Sequence, residues 1–335
     1  MVSSNESGKE SCQSCVVLPN SIIKVAFSYC SGLCIEIAVI YFASKTGKRQ
    51  NSWISVKRGE EMTNRVALVT GATSGIGYET ARMLAEHGYR VYAAGRRVER
   101  LKPLGDKGVT AVRMDLTDSA SIEKAVARIL QKERRVDLLV NNAGYGSYGP
   151  VEQVSIDEVR RQFEVNLFGL ARLTQLVLPA MRRARHGRIV NTSSMAGRMV
   201  TYMGAWYHAT KYALEAFSDA LRMEMRPFGI DVVLIEPGAI ATNWGAIAAD
   251  HLQAVTHRSA YQKSGSRAAA GLRKLYSSRH LTKPSAIARA IVRASIVRHP
   301  RPRYLLGFGA KPLVAVHALI PTRAWDYLMV HAKDL

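Results

Sequence analysis

The sequence predicts an α/β protein built on a doubly wound parallel sheet. Short apolar segments recur from residue 66 onward, and helical patterns separate nearly all of them. Segments that are apolar throughout are typical of strands buried on both faces. Strands that alternate with helices require right-handed crossovers, which give a parallel sheet with helices on both faces. We therefore expect a single domain with about seven strands.

The predicted elements follow one another in a regular order. The first strand, Val66–Thr70, ends in a glycine-rich turn, and the helix after it runs from about Ile76 to Glu86 and stops at Gly88. Ligands of such sheets bind beyond the carboxyl ends of the strands, so we expect the functional residues there. The six further strands that the pattern predicts are residues 91–94, 110–114, 136–140, 187–191, 231–235 and 303–307.

Composition and charge exclude several classes of protein. The chain has 335 residues, of which 47% are hydrophobic, and a formal net charge of +21. Basic residues are spread along the helical segments without the basic–aromatic interleaving of single-strand binders, so we expect no nucleic-acid partner. Solvated helix faces are the favoured explanation, and attraction to anionic lipid or to a phosphorylated cofactor is the alternative. The cysteines all precede Met62 and the histidines are dispersed, so we expect no metal site.

Residues 1–61 lie before the repeat and form an N-terminal extension. Residues 21–43 are mostly apolar and approach the roughly 20 residues that a membrane-spanning helix needs, although Lys24 and Glu36 interrupt them. A second interpretation is that Met62 is the genuine start, because the residues after it lead straight into the first strand. We expect a cytoplasmic protein, with weak membrane association through residues 21–43 if they are translated.

The turn after the first strand predicts a nucleotide-binding loop. Its glycines allow the backbone to turn tightly and to approach a pyrophosphate, which then lies at the N-terminus of the next helix. The loop residues that we expect to hold the cofactor are Gly71, Thr73, Ser74, Gly75, Ile76 and Gly77.

The end of the second strand predicts which nicotinamide cofactor binds. An acidic residue there favours NAD(H), whereas a basic residue accommodates the 2'-phosphate of NADP(H). The chain has Gly95-Arg96-Arg97 at this place, and Arg96 is the better-placed bidentate phosphate ligand. Asp115, at the end of the third strand, is positioned to accept a hydrogen bond from the adenine amino group. We therefore expect NADP(H), with NAD(H) as the less favoured alternative.

Tyr207 and Lys211 are the candidates for proton transfer. They lie four residues apart, so on a helix they face the same way. A free tyrosine titrates at about pH 10, and a neighbouring ammonium together with a positive nicotinamide ring favours its phenolate. Tyr207 can then take a proton from an alcohol or give one to a carbonyl. Ser194, just past the fifth strand, is expected to bond the substrate oxygen, and Ser193 is the alternative.

The ordered set of motifs resembles the signature series of the classical short-chain dehydrogenases/reductases. The resemblance covers residues 62–310 and is nearest to the 17β-hydroxysteroid and retinol dehydrogenase branch. Besides the glycine-rich turn and Ser194, the motifs that carry it are Asn142-Ala143-Gly144, Asn166, Tyr207-x-x-x-Lys211 and Pro237-Gly238-x-Ile240-x-Thr242.

The resemblance implies a Rossmann catalytic domain over residues 62–310, with a substrate lid at about 243–283 and a C-terminal helical tail over 311–335. It also implies a homodimer or homotetramer. Asn166 is then expected to help hold a water in a proton relay, and Lys211 to bind the nicotinamide ribose as well. The segment 142–144 would form a wall of the cofactor cleft. Pro237-Gly238 would break the chain after the sixth strand, so that Ile240 and Thr242 contact the nicotinamide end.

The expected reaction is hydride transfer between NADP(H) and a secondary alcohol, ketone or aldehyde. Aromatic and sulfur-containing side chains near the expected cleft favour a lipophilic small-molecule substrate such as a steroid, a retinoid or a long-chain compound. Three alternatives stay open: a reductase of small carbonyls or 3-oxoacyl thioesters, a catalytically silent NADP-binding sensor, and a membrane-tethering scaffold. The residues that favour a lipophilic substrate are Tyr145, Tyr148, Tyr202, Met203, Trp206, Trp244, Tyr261 and Tyr276.

Overall fold

The computed structural model describes residues 16–18, 21–23 and 65–331. The chain divides into two units, Met1–Ser55 and Val56–Leu335. In the first unit, β1 (Val16–Leu18) pairs antiparallel with β2 (Ser21–Ile23). The candidate start at Met62 and the candidate membrane segment after residue 23 lie outside the described residues. Among the described helices, none combines the length and the apolar character that a membrane crossing requires.

The second unit contains the predicted seven-stranded parallel sheet. The strands lie in the order β5-β4-β3-β6-β7-β8-β9. The chain places β4 and β5 on one side of β3 and then adds β6 to β9 on the other side, so the strand order reverses between β3 and β6. This reversal opens a crevice at the carboxyl ends of the strands, where ligands of such sheets bind. The strands are β3 (Val66–Thr70), β4 (Arg90–Gly95), β5 (Val109–Arg113), β6 (Leu138–Asn141), β7 (Gly187–Thr192), β8 (Ile230–Pro237) and β9 (Arg303–Leu306).

Helices cover both faces of this sheet, as the doubly wound fold requires. One buried cluster lies between the sheet and helices α1 and α8, and another lies between the opposite face and α2, α4 and α5. Helices α6 and α7 pack against each other over the carboxyl ends of the strands. The helices are α1 (Gly75–Glu86), α2 (Ser119–Glu133), α3 (Ile156–Phe163), α4 (Gly169–Ala184), α5 (Ala205–Met225), α6 (Trp244–Thr256), α7 (Gln262–Tyr276), α8 (Pro284–Ile296), α9 (Ala310–Leu319) and α10 (Thr322–His331).

Two strand boundaries differ from the prediction by two residues, and the others differ by one residue at most. The fourth strand was expected at residues 136–140 but begins at Leu138, and the side chain of Asp137, just before it, accepts a hydrogen bond from the Val66 N–H (N to Oδ2, 2.8 Å). The sixth strand was expected at residues 231–235, before Pro237-Gly238, but it continues to Pro237. Pro237 is the last residue of β8, where it pairs with Leu306, and the N–H of Gly238 still bonds the Leu306 carbonyl at 2.9 Å.

Candidate active site

The glycine-rich turn is tied to the loop that follows β6. The Oγ1 atom of Thr70, the last residue of β3, accepts hydrogen bonds from the N–H groups of Asn142 (3.0 Å) and Ala143 (3.1 Å). The Asn142 side chain donates back to the Thr70 carbonyl at 3.0 Å. Gly71 and Gly75 adopt positive φ angles of 63° and 58°, which L side chains rarely tolerate. The turn therefore has a fixed backbone shape that depends on its glycines.

The third glycine of the turn, Gly77, is required for a steric reason. It lies inside α1, where a Cβ atom would stand 2.4 Å from the Gly71 carbonyl oxygen and 2.5 Å from Asn142 Nδ2. Only glycine lets the helix start this close to the turn. The first turn of α1 contains no acidic residue, and its free N–H groups make it suitable for a phosphate.

A cleft of about 2040 Å³ lies over the carboxyl ends of the strands. Arg96, Arg97 and Arg100 are exposed at its edge beside the glycine-rich turn. This combination of backbone cradle, helix N-terminus and arginines fits a phosphorylated nucleotide cofactor. The predicted site residues that line the cleft are Gly71, Thr73, Ser74, Gly75, Ile76, Arg96, Asp115, Asn142, Ala143, Gly144, Ser194, Tyr207, Lys211, Pro237, Gly238, Ile240 and Thr242.

Two predicted site residues do not border the cleft. Gly77 lies beneath the glycine-rich turn, as described above. Asn166 is buried in a π-helical turn, Glu164–Phe168, and its amide bonds the backbone of Tyr145 in both directions (2.9 and 3.1 Å) and the Thr210 hydroxyl (3.0 Å). A Cβ atom at Gly144 would lie 3.1 Å from Asn166 Oδ1 and 3.6 Å from Lys211 Nζ. Asn166 is thus one layer behind the cleft, close to Lys211.

Helix α5 brings Tyr207 and Lys211 to the floor of the cleft. Both side chains are buried, and the Lys211 ammonium donates to the Thr192 carbonyl at 2.9 Å and lies 6.0 Å from the centre of the Tyr207 ring. The Ser194 hydroxyl donates to the Pro237 carbonyl at 3.4 Å and accepts from the Ala196 N–H at 3.1 Å. The cleft floor therefore combines residues from the ends of β7 and β8 with one face of α5.

Burial dominates the acid–base behaviour of this floor. It raises the pKa of Tyr207 well above its ordinary value, with a smaller contribution from Tyr148, while the Ser194 hydroxyl lowers it. Burial also lowers the pKa of Lys211 to about 8, although the charge of Glu215 opposes this. The sequence predicted that the lysine would favour the phenolate. In the described site desolvation outweighs that effect, so the phenol is held in its protonated form.

The two adjacent serines have different surroundings. Ser194 lies close enough to Tyr207 for its hydroxyl to lower the pKa of the phenol. The Ser193 hydroxyl is buried and lowers the pKa of the Glu215 carboxyl instead. Because Ser194 lies beside the Tyr207 phenol and Ser193 lies beside a buried carboxyl group, Ser194 is favoured over Ser193 as the residue that contacts a substrate oxygen.

Aromatic rings from α6 and α7 pack over Tyr207. The ring of Trp244 lies 5.1 Å from that of Tyr207 and 5.6 Å from that of Tyr276 (centroid to centroid), and Tyr148 lies 5.9 Å from Tyr207. These contacts exclude water from the tyrosine. Of the side chains expected to favour a lipophilic substrate, five line the cleft, namely Tyr145, Tyr148, Tyr202, Trp244 and Tyr276, whereas Met203, Trp206 and Tyr261 do not.

The sequence missed a contribution from the C-terminal helix. Met329, Val330 and His331 of α10 line the cleft, and Val330 remains 48% exposed. Trp325 anchors this helix, because it is buried and its indole N–H donates to the Val200 carbonyl at 2.9 Å. No motif marks these residues in the sequence. The presence of Trp325 among other apolar residues was the one signal that a helix could pack here. Within the described chain, no cluster of His, Cys, Asp or Glu could hold a metal ion.

The fold and the cleft define a nucleotide-binding α/β oxidoreductase. The family model described as short chain dehydrogenase matches residues 65–252. VdlC of Helicobacter pylori, named as a short-chain type dehydrogenase/reductase, is 37% identical over 263 residues, which are 78% of this chain and 96% of VdlC. The chain therefore belongs to the short-chain dehydrogenase/reductase family, and the resemblance found in the sequence is confirmed.

Two further relatives illustrate the range of this similarity. The 3-ketodihydrosphingosine reductase of Bacteroides thetaiotaomicron is 42% identical over 185 residues, which are 55% of this chain and 66% of that protein. The crystal structure of a short-chain dehydrogenase from Streptomyces avermitilis superposes with a TM-score of 0.67 at 33% identity, over 81% of this chain and 97% of that chain.

Proposed function

We propose that this protein is an NADP(H)-preferring oxidoreductase that interconverts a lipophilic secondary alcohol and its ketone, or a lipophilic aldehyde and its alcohol. The observation that carries the proposal is the layout of one cleft. Arginines stand at its edge beside the glycine-rich turn, a buried tyrosine lies on its floor, and apolar side chains from the covering helices border it.

Arginines at the edge of the cleft support the preference for NADP(H). Arg96, Arg97 and Arg100 follow β4 directly, and the chain has no acidic residue in the Gly95-Arg96-Arg97 segment. A guanidinium can hold a 2'-phosphate through two parallel hydrogen bonds, whereas NAD(H) selection uses a carboxylate at this place. The positive charge also attracts the phosphorylated cofactor over a distance.

The residues on the floor support a proton transfer through Tyr207. When bound, the nicotinamide cofactor supplies or accepts the hydride. Ser194 orients the substrate oxygen through its hydroxyl, and Tyr207 gives that oxygen a proton during reduction or removes one during oxidation. Burial holds the phenol protonated, which suits reduction. Lys211, one helical turn further along α5, stabilises the phenolate that remains after the proton has left.

The covering helices support a lipophilic substrate. Trp244 and Ile247 of α6, Leu272 of α7 and Met329 of α10 all line the same cleft as Tyr207. Each methylene that such a surface removes from water contributes about 0.8 kcal/mol, so chain length can dominate recognition. One relative is named a 3-ketodihydrosphingosine reductase, and this name supports a lipophilic ketone as the class of substrate. We propose that residues 243–283 act as the lid over this substrate.

The proposal is tested by NADPH and NADH oxidation against a homologous series of ketones that differ only in alkyl chain length. We expect kcat/KM to rise about three- to fourfold for each buried methylene until the cleft is filled, because this is the factor that about 0.8 kcal/mol produces. We also expect NADPH to be preferred over NADH. A flat dependence on chain length would instead favour the reductase of small carbonyls.

Substitution of Arg96 tests the cofactor preference separately. Arg96→Ala should lower kcat/KM for NADPH by about 10- to 150-fold, since a hydrogen bond to a charged group contributes about 1.5–3 kcal/mol, and should leave the NADH reaction nearly unchanged. Arg128→Ala removes an exposed arginine from α2, outside the cleft, and serves as the matched control. Equal losses with both cofactors would contradict the role given to Arg96.

A further inference from the structure

Two glutamates are buried directly behind the floor of the cleft. Glu215 follows Lys211 by one turn of α5, and Glu236 is the penultimate residue of β8, next to Pro237. Their exposed fractions are 6% and 1%. Carboxylates are rarely buried this completely unless they are paired, so this arrangement requires a physical explanation.

Both carboxyl groups compete for the same guanidinium nitrogen. Arg303 Nε, on β9, lies 3.2 Å from Glu215 Oε2 and 3.1 Å from Glu236 Oε1. This nitrogen carries a single hydrogen, and the other end of the guanidinium pairs with Asp219. Arg198 approaches Glu236 at 3.3 Å but reaches no oxygen of Glu215. Glu236 is thus approached by two guanidinium groups, whereas Glu215 shares one guanidinium hydrogen with it.

In the described structure each carboxyl group of the pair has one oxygen without a formed hydrogen bond, and the nearby Ser193 hydroxyl has none either. Among the described residues, neither Glu215 Oε1 nor Glu236 Oε2 has a hydrogen-bond partner. Two carboxyl groups that approach the same nitrogen at a buried site cannot both ionise easily, and one shared proton removes the repulsion between them. A proton held between the two carboxyl groups would also supply the missing hydrogen bond.

The pair contacts the segments that carry the proposed catalytic residues. A Cβ atom at Gly197 would lie 2.9 Å from Glu215 Cγ, 3.0 Å from the Lys211 carbonyl oxygen and 3.0 Å from Ser193 Oγ. Glu215 and Lys211 lie on the same face of α5, and the carbonyl of Pro237, next to Glu236, accepts the Ser194 hydroxyl. A change in the charge of the pair therefore alters the electrostatic potential at Lys211 and at Ser194.

We propose that Glu215 and Glu236 share one proton and act as positioning residues, whose charge controls the protonation of Lys211. The inference rests on the proposed role of Lys211. The groups that face the pair are Lys211 and Asp219 from α5, Ser193 after β7, Arg198 from the loop before α5, and Arg303 from β9.

The direction of the pKa shifts agrees with this geometry. Burial raises the pKa of Glu215 to about 7, and the charge of Glu236 adds to the increase, while Ser193 and Arg303 oppose it. When Glu215 is ionised, its charge raises the pKa of Lys211 against the effect of burial. Loss of the proton from the pair near neutral pH therefore favours the ammonium form of Lys211.

The pH profile of kcat/KM distinguishes the two glutamates. Glu215→Gln should move the alkaline limb to lower pH by about one unit, because Lys211 loses its neighbouring carboxylate. Glu236→Gln should leave the alkaline limb in place, because Glu215 without its like-charged neighbour stays ionised down to lower pH. Glu224→Gln, an exposed position on the same helix, should behave as the wild type.

Thermal unfolding of the protein without cofactor or substrate tests the pair independently of activity. A carboxyl whose pKa is raised by folding binds extra protons in the folded state, so its contribution to stability falls as pH rises from about 4.5 to about 7. Glu215→Gln should abolish this fall in Tm, Glu236→Gln should confine it to lower pH, and Glu224→Gln should retain it.

The proposal is overturned if both buried variants keep the pH dependence of Tm and of kcat/KM that Glu224→Gln shows. Should Glu215→Gln not fold, Glu236→Gln decides alone, and the proposal is overturned if that variant keeps the pH dependence of Tm that Glu224→Gln shows. If the Tm results are as expected but Glu215→Gln leaves the alkaline limb of kcat/KM unchanged, the shared proton is supported. The control of Lys211 by the pair, and the proposed role of Lys211, are then contradicted.

Discussion

Replacement of Gly77 by alanine tests the architecture of the nucleotide-binding turn. The added Cβ would lie 2.4 Å from the Gly71 carbonyl oxygen and 2.5 Å from Asn142 Nδ2, whereas ordinary van der Waals contacts begin at 3.4 Å. The turn must therefore move away from α1 by 3.4 − 2.4 = 1.0 Å. Such a movement also displaces Asn142, which bonds the Thr70 carbonyl at 3.0 Å.

The energetic consequence follows from two opposing effects. Overpacking of this kind costs about 1–3 kcal/mol, and the better helix propensity of alanine returns up to about 1 kcal/mol. We expect a net loss of about 1–2 kcal/mol, which lowers Tm by about 2–8 °C for a domain of this size. Because the pyrophosphate would rest on the displaced backbone, we expect the Kd for NADPH to rise about tenfold or more.

The assay combines thermal unfolding with titration of NADPH by fluorescence. Gly105→Ala is the matched control, since a Cβ atom there meets nothing within 4 Å and the backbone φ is not positive. This control should keep wild-type NADPH affinity and a Tm within a few degrees. If Gly77→Ala matched the control in both measurements, the proposed contact between turn, helix and cofactor would be refuted.

Two further substitutions test the cover of the cleft and the layer behind it. Trp244→Ala removes a ring whose centroid lies 5.1 Å from that of Tyr207. In steady-state kinetics it should raise KM for long-chain ketones more than for short ones. An equal effect on both would contradict a substrate-covering role for Trp244. Asn166→Ala leaves the Tyr145 backbone without its buried partners and should lower the free energy of unfolding in urea by about 1–3 kcal/mol; an unchanged midpoint would contradict the bonding described.

Local patterns in the sequence were sufficient to predict the sheet. The five inner strands are short apolar segments, and burial on both faces makes that pattern readable without knowledge of the neighbours, whereas the edge strands β5 and β9 are only partly buried. Errors arose where a long-range contact decided the boundary. The strand β8, for example, extends to Pro237, where it pairs with β9.

The candidate site shows the same division. Motif residues such as Ser194 and Tyr207 were predictable because their spacing along the chain is fixed by the elements that carry them. Met329 of α10 and the Glu215–Glu236 pair were not predictable, because they meet the site only through tertiary packing. The raised pKa of Tyr207 was also missed, since desolvation depends on the covering helices.

The central claim is that Tyr207 transfers the proton, and single-turnover reduction by Tyr207→Phe tests it most directly. The substitution removes only the hydroxyl, so the ring contacts with Trp244 and Tyr148 are preserved. We expect Tm and the Kd for NADPH to stay close to the wild type, while the rate of the chemical step falls by about 100-fold or more, the scale of general acid catalysis. A variant that binds NADPH and turns over at the wild-type rate would contradict the mechanism.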